Sequence, residues 1–148
     1  PLLIDMGAKL QGYHADLTRT FFVGKEPDQR FRAVYDVVLR AQETAEKGIR
    51  AGMIGKDAHA LAQKVIDEAG CGDKFGHGLG HGIGLAIHEK PSAGRLSEDV
   101  LVPGSLVTVE PGIYISGWGG VRIEDVVRVT DDGVEVLTAS PKDPILSV

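Results

Sequence analysis

The hydrophobic pattern begins as strand. Leu2 to Asp5 is a short apolar run, and Tyr13 to Val23, rich in Thr, Phe and Tyr, reads as a second strand. The period then changes. Beyond Pro27, which can open a helix, apolar residues fall at Phe31, Val34, Tyr35, Val38, Ala41 and Ala45, the spacing of one helix face, and Gly48 and Gly52 mark its end. A second helix is predicted over 56–69, with Ala58, Leu61, Val65 and Ile66 on one side and Gly70 and Gly72 stopping it. Ile54-Gly55 offers no Ser or Thr cap there, which predicts a soft start. A glycine-dense tract over 76–84 leads to a loop over 90–103. Residues 105–115 and 121–130 read as strands joined by Ser116-Gly117-Trp118-Gly119-Gly120, and Asp131-Asp132-Gly133 turns into a last strand over 134–137. No repeat, low-complexity segment or internal linker interrupts this order. It predicts an α+β fold with an antiparallel sheet.

Composition adds exclusions. The 148 residues are 43% hydrophobic and 25% charged, enough for one folded domain with a core, so disorder is excluded. No stretch approaches the roughly 18 apolar residues of a membrane-crossing helix. A net charge of −5 lacks the basic footprint of a nucleic-acid binder. Cys71 is the single cysteine, so no internal disulfide forms, as in a reducing compartment. Glycine is 20 of the 148 residues, about twice its usual share of ~7%. The chain opens on Pro1 and is at once strand-like, so a preceding N-terminal portion is expected.

Against this background the acidic residues stand out. Asp5 and Asp16 lie on the two arms of a predicted hairpin centred between Leu10 and Gln11, which would set them directly opposite each other, with Cβ atoms about 5 Å apart. Glu110 and Glu124 repeat the arrangement about Gly117. Carboxylates so close repel unless one is protonated or a cation lies between them. Solvated surface acids are the plain alternative for either pair alone. Two such pairs in strands otherwise full of Val, Ile and Leu favour a site.

The tract Phe75-Gly-His77-Gly-Leu-Gly-His81-Gly-Ile-Gly-Leu-Ala-Ile-His88-Glu89 is the most informative stretch. Its glycines argue against a helix, at ~1 kcal/mol each relative to Ala. As extended chain, it puts glycines 76 to 84 on one side, and His77, Leu79, His81, Ile83 and Leu85 on the other. A strand with one bare face admits close approach of another backbone or a ligand. Asp5, Asp16, His81, Glu110 and Glu124 then form an oxygen-rich set with one imidazole. Its four carboxylates would be neutralised by two divalent ions, Mn²⁺ or Co²⁺ in preference to Zn²⁺ or Fe²⁺. Such a pair activates water at neutral pH.

These motifs resemble, along essentially the whole chain, those of the M24 peptidases: methionine aminopeptidase, aminopeptidase P and prolidase. The matching segments are Leu-Ile-Asp5-Met-Gly-Ala, Tyr-His-Ala-Asp16-Leu-Thr-Arg-Thr, the His77–Glu89 tract, Val-Glu110-Pro-Gly-Ile-Tyr and Val-Arg122-Ile-Glu124-Asp. Arg122-Ile-Glu124-Asp125 is similar to the Xaa-Pro peptidases rather than the methionine branch. The resemblance implies the α+β pita-bread fold, a curved antiparallel sheet with flanking helices, of which residues 1–148 would be the C-terminal portion of one catalytic domain without its N-terminal half. It implies a dinuclear metal-dependent peptidase that cleaves between an N-terminal residue and proline by a metal-bridging hydroxide. Asp5 and Glu124 would be among the bridging ligands, Asp16 would bind one metal, and His81 and Glu110 the other. Glu110 would also shuttle the proton, His77 and His88 would line the substrate pocket, and Arg122 would orient a metal-bound carboxylate. The implied partner is a peptide with proline at its second position, with neither nucleic acid nor membrane, in the cytoplasm. Two other readings stay open: a methionine aminopeptidase-like enzyme, and a metal-binding fragment inactive without the missing half, whose exposed sheet edge would pair with another copy as a homodimer.

Overall fold

The computed structural model describes residues 1–24 and 26–146. Ten strands and two helices follow one another as β1 (Leu2–Leu10), β2 (Tyr13–Val23), α1 (Gln29–Gly48), α2 (Gly55–Glu68), β3 (Gly80–Gly82), β4 (Glu89–Ala93), β5 (Leu106–Val109), β6 (Gly112–Ile115), β7 (Gly119–Arg122), β8 (Asp125–Val129), β9 (Val134–Val136) and β10 (Ile145–Leu146). A short 3₁₀ turn spans Gly72–Lys74. The expected α+β class holds. The strands form three sheets, in the orders β1-β2-β10, β4-β3-β5-β8-β9 and β6-β7. Every pair is antiparallel except β10 with β2.

Helix α1 buries the face that its periodicity marks: Phe31, Val34, Tyr35, Val38, Ala41 and Ala45. Asp28 caps it, its carboxylate accepting from the Phe31 N–H at 2.7 Å, a contact worth about 1 kcal/mol. Helix α2 buries Ala58, His59, Ala62 and Ile66, while Leu61 and Val65 are only partly covered. Its start is firmer than the missing cap predicts. The free N–H groups of Gly55 and Lys56 donate to the carbonyls of Asp99 and Ser97 at 2.8 and 3.0 Å. A Cβ at Gly55 would lie 2.0 Å from the Ser92 carbonyl oxygen, so glycine is what lets the helix end seat on that loop. Helix α1 packs on the five-stranded sheet at β5 and β9, and α2 packs on it at β4; Val107, Val109, Val127 and Val129 of that sheet lie buried in the same core.

Three expectations need correction. The β1–β2 hairpin turns on Gln11 and Gly12, with φ of 51° and 92°, the pair of left-handed residues a tight two-residue hairpin loop requires. Its centre is therefore one residue later than expected, which slides the pairing by two. Asp5 faces Thr18 and Asp16 faces Gly7, so the two aspartates are diagonal neighbours rather than directly opposed. Because side chains alternate, a two-residue slide keeps both on the same face. Second, the expected strands 105–115 and 121–130 are each broken, at Glu110-Pro111 and at Ile123-Glu124. There the backbone N–H of Glu110 donates to Leu79 and that of Glu124 to Thr18, at 2.8 and 3.0 Å, instead of continuing the ladder. Third, the glycine tract is strand only over Gly80–Gly82, and the expected loop contains β4, which pairs with it. The sequence Glu-Lys-Pro-Ser-Ala carries no strand periodicity; pairing with β3 imposes the conformation. A Cβ at Gly80 would stand 1.9 Å from the Thr108 carbonyl oxygen, and one at Gly82 2.5 Å from the Lys90 backbone. The bare face thus admits backbone on both sides.

Candidate metal centre

The breaks in the two ladders lie where the carboxylates are. The pairings Val109↔Asp125 and Gly112↔Arg122 flank the gap, so Glu110 falls opposite Glu124 as expected. Strand β2 brings Asp16 and Thr18 to the same place, and β3 brings His81. One ligand atom each from Asp16, His81 and Glu124 lies within 4.8 Å of the others. Glu110 Oε1 is 3.3 Å from His81 Nε2, and Asp16 Oδ2 is 3.8 Å from it. Asp5 stands at the edge, half exposed, hydrogen-bonded and ion-paired to the Arg122 guanidinium. A cavity of about 620 Å³ opens above, lined by His77, His81, Glu110, Arg122 and Arg95. His88 is exposed and does not line it. Its ring stands edge-on to that of His81, 4.1 Å between centroids.

The electrostatics are those of an anion cluster short of cations. Glu124 is 2% exposed. Burial, then the neighbouring Glu110, pushes its carboxyl up to about 8, against a Thr18 hydroxyl that donates to it at 2.6 Å. Burial raises Asp16 as well, with Asp5 adding to the effect. Burial alone would lower His81, but hydrogen bonds to Glu110 and the Gly82 carbonyl outweigh it, so the imidazole is raised. His81 Nδ1 lies 3.0 Å from the Gly82 carbonyl oxygen, which can only accept. Nδ1 therefore donates to Gly82, and Nε2 faces two carboxylates, either protonated and donating to Glu110 or, in the neutral ring, with its lone pair toward them. That arrangement is repulsive unless a proton or a metal ion sits between them, and it fits the hard, oxygen-rich set a divalent ion requires.

Around Arg122 and His77, which the sequence reading named, three further side chains escaped it: Tyr114, Thr18 and Thr108. Arg122 donates to the Tyr114 hydroxyl and to Thr18 Oγ1, both at 3.1 Å, and its Nε is 3.9 Å from Glu110 Oε2. Tyr114 in turn lies 2.8 Å from His77 Nε2, while His77 Nδ1 is 2.7 Å from the Gly78 carbonyl oxygen. The carbonyl fixes His77 as the Nδ1–H tautomer, so Tyr114 accepts from Arg122 and donates to His77. Thr108 Oγ1 donates to Glu110 Oε1 at 3.1 Å and accepts from the His81 N–H at 3.0 Å. The available signal was alternation: Thr18 is two residues after Asp16 and Thr108 two before Glu110, on the same strand faces.

Comparison with known proteins agrees with this geometry. Metallopeptidase family M24 matches residues 1–131. An Xaa-Pro dipeptidase of Pyrococcus furiosus is 44% identical over 142 residues, covering 96% of this chain. The solved Xaa-Pro dipeptidase from Bacillus anthracis superposes with a TM-score of 0.94 at 52% identity over 97% of the chain. The X-Pro aminopeptidase from Thermotoga maritima gives 0.93 at 42% identity, again over 97%. The chain spans about 40% of the length of each of these relatives. The α+β architecture built here from sheets and two flanking helices is the pita-bread fold, and the chain belongs to metallopeptidase family M24.

Proposed function

We propose that this chain supplies the metal-binding part of a peptidase that hydrolyses the bond between an N-terminal residue and proline. The observation that carries the reading is the convergence of Asp16, His81 and Glu124 within 4.8 Å, with Glu110 beside His81. The similarity to Xaa-Pro dipeptidases favours proline over other second residues.

Asp5, Asp16, His81, Glu110 and Glu124 would hold two divalent ions, of which Mn²⁺ or Co²⁺ suits the ligand set best. When bound, such ions supply a nucleophilic water at neutral pH and Lewis-acid polarisation of the scissile carbonyl. The remaining work falls to the chain. The Glu110 carboxylate holds a proton taken from the attacking water and returns it to the proline nitrogen, which has no N–H of its own and leaves only when protonated. His77, held as the Nδ1–H tautomer by Gly78, keeps its Nε2 on Tyr114 and its ring on the cavity wall. Arg122 holds Asp5 and Tyr114 together, and so couples the edge of the metal cluster to the histidine on the pocket wall.

A product assay decides between the branches. With Mn²⁺, the protein as it occurs naturally is expected to cleave Ala-Pro or to release Ala from Ala-Pro-Ala, and to leave Met-Ala-Ala intact. Release of Met alone would overturn the proline reading in favour of a methionine aminopeptidase. Replacing Glu110 by Gln is expected to lower kcat by about 10²- to 10⁴-fold.

A further inference from the structure

Directly behind the metal cluster lies a second group of buried charges. Arg19 is 3% exposed and Asp125 fully buried. A guanidinium has five N–H donors, and Arg19 makes five contacts with them. Nε donates to the Pro141 carbonyl at 3.1 Å, and Nη2 to Ser140 at 2.8 Å and to Asp125 Oδ1 at 2.6 Å. Nη1 donates to the carbonyls of Thr18 and Glu124 at 3.0 and 2.6 Å. The other oxygen of Asp125 accepts from Lys142 Nζ at 2.7 Å and from Gln42 at 3.0 Å. Lys142 also reaches Glu46 at 3.6 Å, and its carbonyl accepts from the Tyr35 hydroxyl at 3.0 Å.

Two features of this arrangement bear on the site. Arg19 grips Glu124 by its carbonyl, not its carboxylate. The backbone of Glu124 is thereby fixed while its acid group is left free of a competing cation. Moreover, Ser140, Pro141 and Lys142 lie beyond residue 131, where the match to the family ends, yet they take two of the five guanidinium contacts and supply the second cation. An arginine fork on β2 that holds both the 124–125 and the 140–141 segments at once leaves little freedom for the strand ends it joins.

We propose that Arg19, Asp125 and Lys142 form a brace, closed by the chain segment 140–142, that positions the Glu124 carboxylate for metal binding. These are positioning residues: they act on the metal through Glu124 and Thr18 alone. The inference rests on the metal-centre reading above. Removing a group that orients a metal ligand typically weakens binding about 10- to 100-fold.

The test is calorimetric titration of the natural protein with Mn²⁺, together with the visible spectrum of its Co²⁺ form. Asp125→Asn and Lys142→Met are expected to weaken Mn²⁺ binding about 10- to 100-fold and to change the Co²⁺ band intensities. Lys142→Arg should restore both toward wild type. Ile66→Ala, a buried change on α2 away from the brace, serves as the control for lost stability alone and should alter neither. If Asp125→Asn does not fold, Lys142→Met, at a part-exposed position, decides alone. Folded variants with wild-type Mn²⁺ affinity and Co²⁺ spectrum overturn the brace, as does an equal loss in Ile66→Ala. A wild-type protein that takes up no Mn²⁺ overturns the metal centre and the brace together.

Discussion

Two buried charge clusters meet at a single peptide bond, that between Glu124 and Asp125, and they are opposite in kind. Around Asp125, Arg19 and Lys142 supply cations at 2.6 and 2.7 Å. Burial would raise the Asp125 carboxyl, but these partners outweigh it and hold it below its usual range. Around Glu124, burial and the neighbouring carboxylates of Glu110 and Asp16, offset only in part by the Thr18 hydroxyl and Arg122, push its carboxyl up to about 8. Neighbouring acids of nearly the same chemistry are thus set apart by the opposite sides of the chain to which they point. The difference teaches how to tell a structural charge cluster from a receptive one. The first is neutralised within the chain, whereas the second is left needing a cation from outside.

Three experiments would break or sharpen that contrast. The largest effect is expected from Asp125→Ala, which strands Arg19 and Lys142 in the interior. It should destabilise by about 3–5 kcal/mol in urea denaturation, and a loss below 1 kcal/mol would show that the cluster is not internally balanced. Next is the pH dependence of the metal-free protein. Glu124 binds its proton more tightly folded than unfolded, so stability is expected to fall as pH rises from about 4.5 to about 8. Asp16 and His81, both raised, add in the same direction. Denaturation in chelator should show a loss on the order of 5 kcal/mol across that window, flattened in Glu124→Gln. A flat wild-type profile would mean that the acids are not crowded. The smallest effect concerns Glu46, whose carboxyl burial raises despite Lys142 at 3.6 Å. Glu46→Gln should change stability by less than about 1 kcal/mol at pH 8, since ionising this group in the interior gains little. A loss of several kcal/mol would make it a full member of the brace.

How much of this was legible in the sequence follows from the range of each interaction. The face of α1 from Phe31 to Ala45 and the span of β2 were readable because helix and strand periodicity are local. The approach of Asp16, His81 and Glu124, with Glu110 beside His81, was readable from the sequence, and Glu110 faces Glu124 because Gly117 does centre their hairpin. The Asp5–Asp16 register was misjudged by two, because the choice between Leu10-Gln11 and Gln11-Gly12 as the turn depends on which residues accept positive φ. Strand β4 was invisible because its conformation comes from β3 and not from Glu-Lys-Pro-Ser-Ala itself. The brace was invisible because Arg19 meets partners more than 100 residues away, and nothing in Asp-Leu-Thr-Arg-Thr distinguishes a buried arginine from a surface one.

The glycines on either side of His81 carry a consequence for anyone who maps this protein by exhaustive substitution. Neither has a functional group, yet any side chain at Gly80 or Gly82 collides with a neighbouring backbone, at 1.9 Å and 2.5 Å respectively. Such a map would score them as intolerant as the imidazole between them. Intolerance here is a measure of crowding as much as of chemistry, and the footprint of the reaction on a mutational landscape is wider than the set of atoms that perform it.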